Sequence, residues 1–263
     1  ILEGINGHRM LNPAFELGTN VCPWNCDFCF TEDVHNKQGL KQKLIGEISL
    51  ERKLRLIDEA YSLGAKSINF VGAGEPTIDR DFWTIIERMQ RHEITPIIYT
   101  EGTLKLTKID FVQRLFDTGA TVVLKVNSLK NKEYQDSILL GKGIKRAIPK
   151  ESYFEKRKVV LQNLIDVGFN SGMPTRLAFD TIICKENFDE IEYIHRYARL
   201  HNIFVLFVNY LPSGRTSEGH TSAISWNEQK VLFDKLANID RQEFGMNHAS
   251  IFPYAGGVPC SIR

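Results

Sequence analysis

Six predicted strands each lead into a predicted helix, and this alternation limits the fold more than any other feature of the sequence. The strands are short apolar runs, and the helices carry apolar residues three and four positions apart. The predicted strands cover residues 15–21, 67–71, 96–100, 121–126, 176–183 and 203–208. The predicted helices cover residues 47–63, 80–91, 108–118, 152–167, 187–200 and 226–238. No hairpin signal separates the strands, so we expect them to run parallel with right-handed crossovers.

Polar and glycine-bearing residues follow the predicted strands, where they would meet at one edge of a parallel sheet. These residues are Cys22, Gly74, Glu101, Asn127, Cys184 and Asn209. Loops that converge after every strand are typical of the mouth of a barrel. The sequence therefore predicts an α/β fold, a (β/α)6 partial TIM barrel of parallel strands, over residues 15–240. Residues 1–14 are interpreted as a lead-in and residues 241–263 as the start of a short C-terminal extension.

The overall composition favours a cytoplasmic protein with a large core. The chain has 263 residues, 43% of them hydrophobic, and a net charge of +1. Such a balance gives no general argument for nucleic-acid binding, and no apolar run reaches the roughly 18 residues that a membrane helix needs. Five cysteines, three of them clustered, do not suggest a disulfide framework and fit metal binding in a reducing compartment.

Three cysteines within eight residues predict a metal site. Cys22, Cys26 and Cys29 follow the first predicted strand with the spacing Cys-x3-Cys-x2-Cys. A structural zinc site usually has paired Cys-x2-Cys units and four ligands, and here His35 is the candidate for a fourth. Three thiolates on a four-iron cluster would instead leave one iron open to another ligand.

The cysteine spacing, with the aromatic Phe28 before the third cysteine, resembles the signature of the radical S-adenosylmethionine (SAM) enzymes. The resemblance implies that Cys22, Cys26 and Cys29 hold a [4Fe–4S] cluster whose open iron binds SAM. It also implies reductive cleavage of SAM to a 5′-deoxyadenosyl radical that abstracts a hydrogen atom. An electron donor such as a flavodoxin or ferredoxin would supply the electron.

A second segment resembles the same superfamily. Gly72-Ala73-Gly74-Glu75-Pro76 ends the second predicted strand and is similar to the family's Gly-Gly-Glu-Pro segment, which binds the amino group of SAM. Glycine allows close approach of the backbone and proline stiffens the turn, while a carboxylate can neutralise an ammonium group. Ala73 departs from the family pattern. Taken alone, the segment is also compatible with an ordinary turn between a strand and a helix.

Weaker matches occur at the later strand ends. Thr100-Glu101-Gly102 stands where many members have a Thr-Asn-Gly-like sequence, and residues 125–129 resemble a segment that approaches the ribose and carboxylate of SAM. The predicted SAM-binding residues are Phe28, Gly74, Glu75, Pro76, Glu101, Asn127, Ser128, Arg176 and Asn209.

Three further residues are predicted to act on the substrate side: Lys125, Asp180 and Tyr210. A lysine within an apolar strand needs a partner, so Lys125 and Asp180 are expected to form an ion pair across the lumen of the barrel. An edge-strand lysine exposed to solvent is the alternative interpretation for Lys125.

Two cysteines lie outside the triplet. Cys184 ends a predicted strand and is interpreted as a buried structural thiol. Cys260 follows Gly256 and Gly257, and this pattern resembles the entry to the C-terminal SPASM or twitch extension of some radical SAM enzymes. In those proteins the extension binds an auxiliary iron–sulfur cluster, so Cys260 is either a ligand of such a cluster or a lone thiol.

Residues 125–158 form a locally basic segment, with ten lysines and arginines against four acidic residues. A basic lip at the barrel mouth could attract an anionic substrate, whereas a solvated helix face would have no such role. Few aromatic residues alternate with these charges, which argues against single-stranded nucleic-acid binding.

These patterns together predict a radical SAM enzyme that acts on a small anionic metabolite, a nucleotide or a peptide. A peptide maturase of the SPASM type is one alternative. An iron–sulfur electron carrier or sensor, which would not bind SAM, is the alternative from another class, and a zinc-binding module is the third.

Overall fold

Six parallel strands form one sheet in the order in which they occur along the chain. The computed structural model describes residues 7, 9–24, 26, 28–29, 46–72, 74–140, 152–210 and 222–246. The strands are β1 (Ala14–Glu16), β2 (Ser67–Val71), β3 (Thr95–Thr100), β4 (Thr121–Lys125), β5 (Leu177–Ile183) and β6 (Phe204–Asn209). All five pairings between neighbours are parallel. This topology confirms the predicted partial barrel.

The α-helices pack on the outer face of the sheet. They are α1 (Leu50–Ser62), α2 (Phe82–Arg91), α3 (Ile109–Asp117), α4 (Lys132–Leu140), α5 (Tyr153–Val167), α6 (Ile191–Leu200) and α7 (Trp226–Phe244). Short 3-10 helices cover Pro76–Ile78 and Phe188–Glu190. Helix α7 runs past residue 240, where the predicted barrel ended. Gly245, in a left-handed backbone conformation, ends this helix.

Helix α4 is the element that the sequence did not predict. The charged residues around it suggested a connection, but Ile138 and Leu139 are buried against the cysteine loop. The helix therefore packs on the functional end of the barrel. Within its nine residues only Tyr134 and Ile138 are apolar partners at helical spacing, which is too little for the periodicity to give a signal.

Strand β1 is shorter than predicted, because the chain leaves the sheet after Glu16. The segment that follows is held by Glu47, whose carboxylate accepts hydrogen bonds from the Asn20 amide at 2.8 Å and from the Thr19 hydroxyl at 3.2 Å. A side chain thus replaces sheet pairing just before Cys22. This arrangement fixes the entry to the cysteine loop.

Alternation along each strand separates an outer apolar core from an inner face. Ile68 and Phe70 of β2 are fully buried beneath the helices, whereas Asn69 between them points to the inner face. Burying one such large side chain contributes about 1.5–3 kcal/mol. The outer core therefore supports the sheet, and the inner face, called the lumen here, carries polar residues such as Asn69 together with apolar ones such as Val71.

Within the described ranges, no helix is long and apolar enough to cross a membrane.

Helices α6 and α7 are joined by a buried ionic cluster. Asp240 is fully buried and receives hydrogen bonds from Arg199 at 2.9 and 2.7 Å, while His195 Nε2 lies 2.6 Å from the same carboxylate. Asp240→Ala should lower the free energy of unfolding by about 3–5 kcal/mol, because it leaves Arg199 without its carboxylate partner in a buried place. Chemical denaturation measures this change.

Glu243→Ala is the matched control, because it removes an exposed carboxylate that pairs with Arg196 on the same two helices. This variant should unfold close to the wild type, since exposed ion pairs contribute little. Equal destabilisation by both substitutions would contradict the assignment of the buried cluster as the main tie.

Candidate functional site

A cavity of about 500 Å³ opens at the carboxyl ends of the strands. Its walls come from the cysteine loop and from the inner face of every strand. The lining includes Cys22, Cys26, Phe28, Cys29, Asn69, Gly74, Glu75, Tyr99, Glu101, Lys125, Asp180, Leu206 and Val208. The position agrees with the barrel mouth expected from the sequence, because the residues that follow the strands meet there.

The three clustered cysteines all line this cavity and are partly exposed. The Cys29 amide donates a hydrogen bond to the Cys26 carbonyl at 3.1 Å, which closes the loop between these two residues. Burial, followed by the nearby Cys26, raises the pKa of Cys22 well above its ordinary value. Thiolates are the usual ligands of iron–sulfur clusters, so the donor set fits such a group.

A single metal ion is a poorer fit to the described residues. Nowhere in the described part of the chain do three metal-binding side chains gather closely enough to hold one ion. A four-iron cluster binds each thiolate at a different iron, so it does not need that gathering. His35, the candidate fourth ligand for zinc, lies outside the described residues.

Trp24 anchors the cysteine loop to the barrel. Its side chain is 8% exposed and packs edge-on against Tyr153 of α5, with ring centroids 5.3 Å apart. Ile138 and Leu139 of α4 complete this apolar contact. The sequence analysis did not select Trp24, although an aromatic residue inside a metal-binding loop was a usable signal.

Gly74 allows the cysteine loop and the end of β2 to touch through their backbones. A Cβ atom at this position would lie 2.2 Å from the Val21 carbonyl oxygen and 2.6 Å from the Asn20 carbonyl carbon. Two hydrogen bonds join the same segments, from the Gly74 amide to Thr19 O at 3.1 Å and from the Glu75 amide to Val21 O at 3.0 Å. The glycine is therefore required by contact between two protein segments, in addition to any ligand.

Glu75 is fixed in one orientation by four hydrogen bonds. Its Oε1 accepts from the Thr77 amide and hydroxyl at 3.1 and 2.6 Å and from the Thr100 hydroxyl at 2.6 Å, and Oε2 accepts from the Glu101 amide at 3.0 Å. Burial raises the pKa of Glu75, and the hydrogen bonds oppose that rise. The carboxyl group thus joins the ends of β2 and β3 while it lines the cavity.

Glu101 places a second carboxyl group beside the first. Its Oε2 accepts hydrogen bonds from the Thr103 amide at 3.1 Å and the Thr103 hydroxyl at 2.5 Å. Burial, and then the neighbouring Glu75, raise the pKa of Glu101 to about 8. The hydrogen bonds from Thr103 partly oppose this rise.

Lys125 and Asp180 form the predicted ion pair, with Nζ and Oδ2 2.9 Å apart. The two residues are register partners on β4 and β5, so the pair joins adjacent strands and does not cross the lumen as expected. Lys125 Nζ also lies 4.8 Å from the centroid of the Phe28 ring. Tyr99 faces the same place, and burial and then Asp180 raise its pKa. The sequence analysis did not identify Tyr99.

Comparison with known proteins identifies the family. The model of the radical SAM superfamily matches residues 17–198, which is more than half of the chain. Of the residues that line the cavity, all except Ala14, Leu206 and Val208 lie in the matched range. The chain belongs to the radical SAM superfamily. Members of this superfamily use a [4Fe–4S] cluster and SAM, which agrees with the three cysteines at the cavity.

Curated relatives are similar over parts of their length. Mycofactocin maturase MftC of Mycolicibacterium smegmatis is 24% identical over 237 residues, 84% of this chain and 53% of MftC. PqqA peptide cyclase of Granulibacter bethesdensis is 31% identical over 86 residues, 33% of this chain and 21% of that protein. GTP 3′,8-cyclase of Aeromonas hydrophila is 27% identical over 118 residues, 44% and 34% of the two chains. The radical SAM chain described here spans about half of MftC and less of the others.

A solved structure has the same fold. Streptococcus suis SuiB bound to its precursor peptide SuiA superposes with a TM-score of 0.66 at 16% identity, over 89% of this chain and 47% of SuiB. At that identity the likeness supports the radical SAM barrel alone.

Several predicted SAM-binding residues do not line the cavity. Asn127 and Ser128 are fully buried, with their backbone amides bonded to Gln135 Oε1 at 2.9 and 2.8 Å. The Ser128 hydroxyl donates to Glu190 Oε2 at 2.5 Å. Strand β4 ends at Lys125, so the alternation of inner and outer side chains does not continue to Asn127 and Ser128. Neither residue lines the cavity. Their predicted approach to SAM is therefore not seen in the cavity lining.

Arg176 was placed at the wrong end of the barrel. It precedes β5, and its guanidinium donates hydrogen bonds to the carbonyl oxygens of Ala120 and Phe116 at 2.9 and 2.7 Å. In a parallel sheet the start of a strand lies opposite the mouth, so Arg176 cannot face SAM there. The alternation of side chains along a strand indicates on which face of the sheet a residue lies, but not at which end of the strand. It therefore did not reveal the position of Arg176.

The other predicted residues occupy the rim or lie elsewhere. Asn209 ends β6 and is 7% exposed, Tyr210 follows it, and Pro76 begins a buried 3-10 turn. Cys184 is buried, with its Sγ 2.8 Å from the Tyr134 hydroxyl, and burial raises its pKa to about 11. This placement agrees with a structural thiol. Cys260 lies outside the described residues.

The basic segment does not form a lip along its described part. Arg157 is 1% exposed and donates to Ser128 O at 2.6 Å, while Lys130 lies over the Tyr193 ring at 3.3 Å. Lys132 and Lys158 both pair with Glu155. The members at positions 142, 145, 146 and 150 lie outside the described residues. Of the described basic side chains, only Lys125 lines the cavity, and it is paired with Asp180.

Gly74→Ala should prevent the cysteine loop from seating against β2, because the added methyl group would meet a carbonyl oxygen at 2.2 Å. We expect iron and sulfide per chain to fall severalfold after anaerobic reconstitution. Gly172→Ala is the control, since its Cβ would make only an ordinary contact at 3.5 Å. Full cluster loading in Gly74→Ala would contradict this role.

Proposed function

We propose that this chain is the SAM-cleaving barrel of a radical SAM enzyme that modifies a peptide. The observation that carries the first part is the convergence of the three loop cysteines and the Gly-Glu-Pro segment on one cavity. The second part draws on relatives named as a maturase and as a peptide cyclase, and on the charge of the lumen.

Cys22, Cys26 and Cys29 would hold the [4Fe–4S] cluster, and the segment around Gly74 and Glu75 would face SAM beside it. When bound, this pair of cofactors supplies a 5′-deoxyadenosyl radical by reductive cleavage. Trp24 keeps the cysteine loop against the barrel, and Leu206 and Val208 give the cavity an apolar wall. A reactive intermediate needs a site from which water is excluded.

The charges of the lumen support a peptide over a polyphosphate. Lys125 is neutralised by Asp180 at 2.9 Å, and two further carboxyl groups, Glu75 and Glu101, line the same cavity. Among the described residues there is thus no surplus positive charge to bind several phosphates. One relative is named a peptide cyclase, PqqA peptide cyclase, and another, MftC, is named a mycofactocin maturase. A peptide side chain or backbone needs only hydrogen-bond partners, which Asp180, Tyr99 and Asn69 supply.

The cluster assignment predicts cleavage of SAM. After anaerobic reconstitution and reduction with dithionite, the wild type should convert SAM to methionine and 5′-deoxyadenosine. Cys26→Ala should lose both the cluster absorbance and at least 100-fold of the product rate, since a cluster ligand is removed. Cys184→Ser, which alters a buried thiol away from the cavity and keeps a group able to bond Tyr134, should retain both.

A fully loaded wild type that releases no 5′-deoxyadenosine would overturn the enzyme assignment and favour an electron carrier or sensor. Zinc without iron or sulfide in the purified protein would establish the zinc module. Iron in excess of four per chain would support an auxiliary cluster and the SPASM alternative that includes Cys260.

The substrate class can be tested with GTP as the probe, because GTP 3′,8-cyclase is also a relative. We expect GTP at millimolar concentration to leave the rate of 5′-deoxyadenosine formation unchanged, since the one described basic side chain of the lumen is already paired. A severalfold stimulation, or a GTP-derived product, would replace the peptide proposal with the nucleotide one.

A further inference from the structure

The loop that carries the cysteines and the end of β3 each present a buried polar atom without a partner. Trp24 and Glu101 are both 8% exposed. Among the described residues, the Trp24 Nε1 donor and the Glu101 Oε1 acceptor have no hydrogen bond of normal geometry. Leaving either group unsatisfied is unfavourable, because burial removes it from water without replacing its hydrogen bond. Trp24 Nε1 is a donor and Glu101 Oε1 is an acceptor, so a hydrogen bond between them would satisfy both atoms.

The two residues are held next to each other by Tyr153. Its ring packs edge-on against the Trp24 ring at 5.3 Å, and its hydroxyl donates to the Glu101 carbonyl oxygen at 3.3 Å. Both Trp24 and Glu101 line the same cavity. The indole also lies close enough to the Glu101 carboxyl group to lower its pKa, against the larger effect of burial. Proximity is thus supported by packing, by a bridging residue and by electrostatics.

We propose that Trp24 Nε1 donates a hydrogen bond to Glu101 Oε1, and that this bond is a latch between the cysteine loop and the strand ends that face SAM. The proposal rests on the proposed function, because the latch orients the loop that would hold the cluster. It assigns Glu101 as a positioning residue. The sequence analysis had placed Glu101 among the SAM ligands.

The location of Glu101 explains why a latch here would matter. Its backbone amide donates to Glu75, and its Oε2 is occupied by Thr103. Glu101 therefore connects the Gly-Glu-Pro segment, the end of β3 and the cysteine loop through three different groups.

The latch is tested with Trp24→Phe, Glu101→Gln and the double variant. Phenylalanine keeps an aromatic ring against Tyr153 but removes the N–H group. Glutamine keeps one oxygen, for which Thr103 and Trp24 would compete. Trp83→Phe and Glu87→Gln are the matched controls, because they make the same changes on α2, away from the cavity.

The readouts are the rate at which the reconstituted cluster loses iron to a chelator, and the change that SAM causes in the EPR spectrum of the reduced cluster. Each single variant should lose iron about tenfold faster, which corresponds to losing one hydrogen bond to a carboxylate. The double variant should lose iron no faster than the faster single variant, because both remove the same bond. The controls should match the wild type.

Multiplicative effects in the double variant would overturn the latch, since they would mean that the two residues act separately. If Glu101→Gln weakens the SAM-induced change in the EPR spectrum but leaves the rate of iron loss unchanged, the latch is also overturned. Glu101 would then be a SAM ligand. A wild type that takes up no iron, or shows no SAM response, contradicts the proposed function itself, whatever the variants do. The two failures are therefore distinguishable.

Discussion

The contact between the backbones of Gly74 and Asn20–Val21 is the constraint on which the site depends. A Cβ atom there would sit 2.2 Å from a carbonyl oxygen, so only glycine lets the cysteine loop lie against the end of β2. Hydrogen bonds from Gly74 and Glu75 then replace the sheet pairing that β1 gives up after Glu16. The loop is thus positioned by main-chain geometry, and its three cysteines line the cavity.

Carboxyl groups extend this arrangement across three strand ends. Glu47 holds the segment before Cys22, Glu75 bonds to Thr77, Thr100 and Glu101, and Glu101 bonds to Thr103. Burying acids is unfavourable unless donors surround them, and here threonine hydroxyls and backbone amides do so. Burial and the neighbouring Glu75 raise the pKa of Glu101, so these donors offset only part of the cost of burying two acids side by side.

Most of the fold followed from the sequence, whereas the site followed only where its residues lie in regular strands. Strand β2 was predicted to the residue, and Lys125 and Asp180 were correctly paired because alternation places both on the inner face. Asn127 and Ser128 follow the end of β4, where alternation no longer applies, and Gln135 and Glu190 engage them from elements that periodicity could not place. Trp24 was missed because its role depends on Tyr153 and Glu101, which are distant along the chain.

The lumen that results has a polar side and an apolar side. The polar side consists of one residue from each of β2, β3, β4 and β5, namely Asn69, Tyr99, Lys125 and Asp180. The apolar side consists of Leu206 and Val208 of β6. A substrate that fits this cavity needs hydrogen-bonding groups on one flank and an apolar surface on the other, and no strong net charge. A neutral amino-acid side chain of a peptide, the substrate class proposed above, meets these conditions when it carries a hydrogen-bonding group at one edge and an apolar surface at the other.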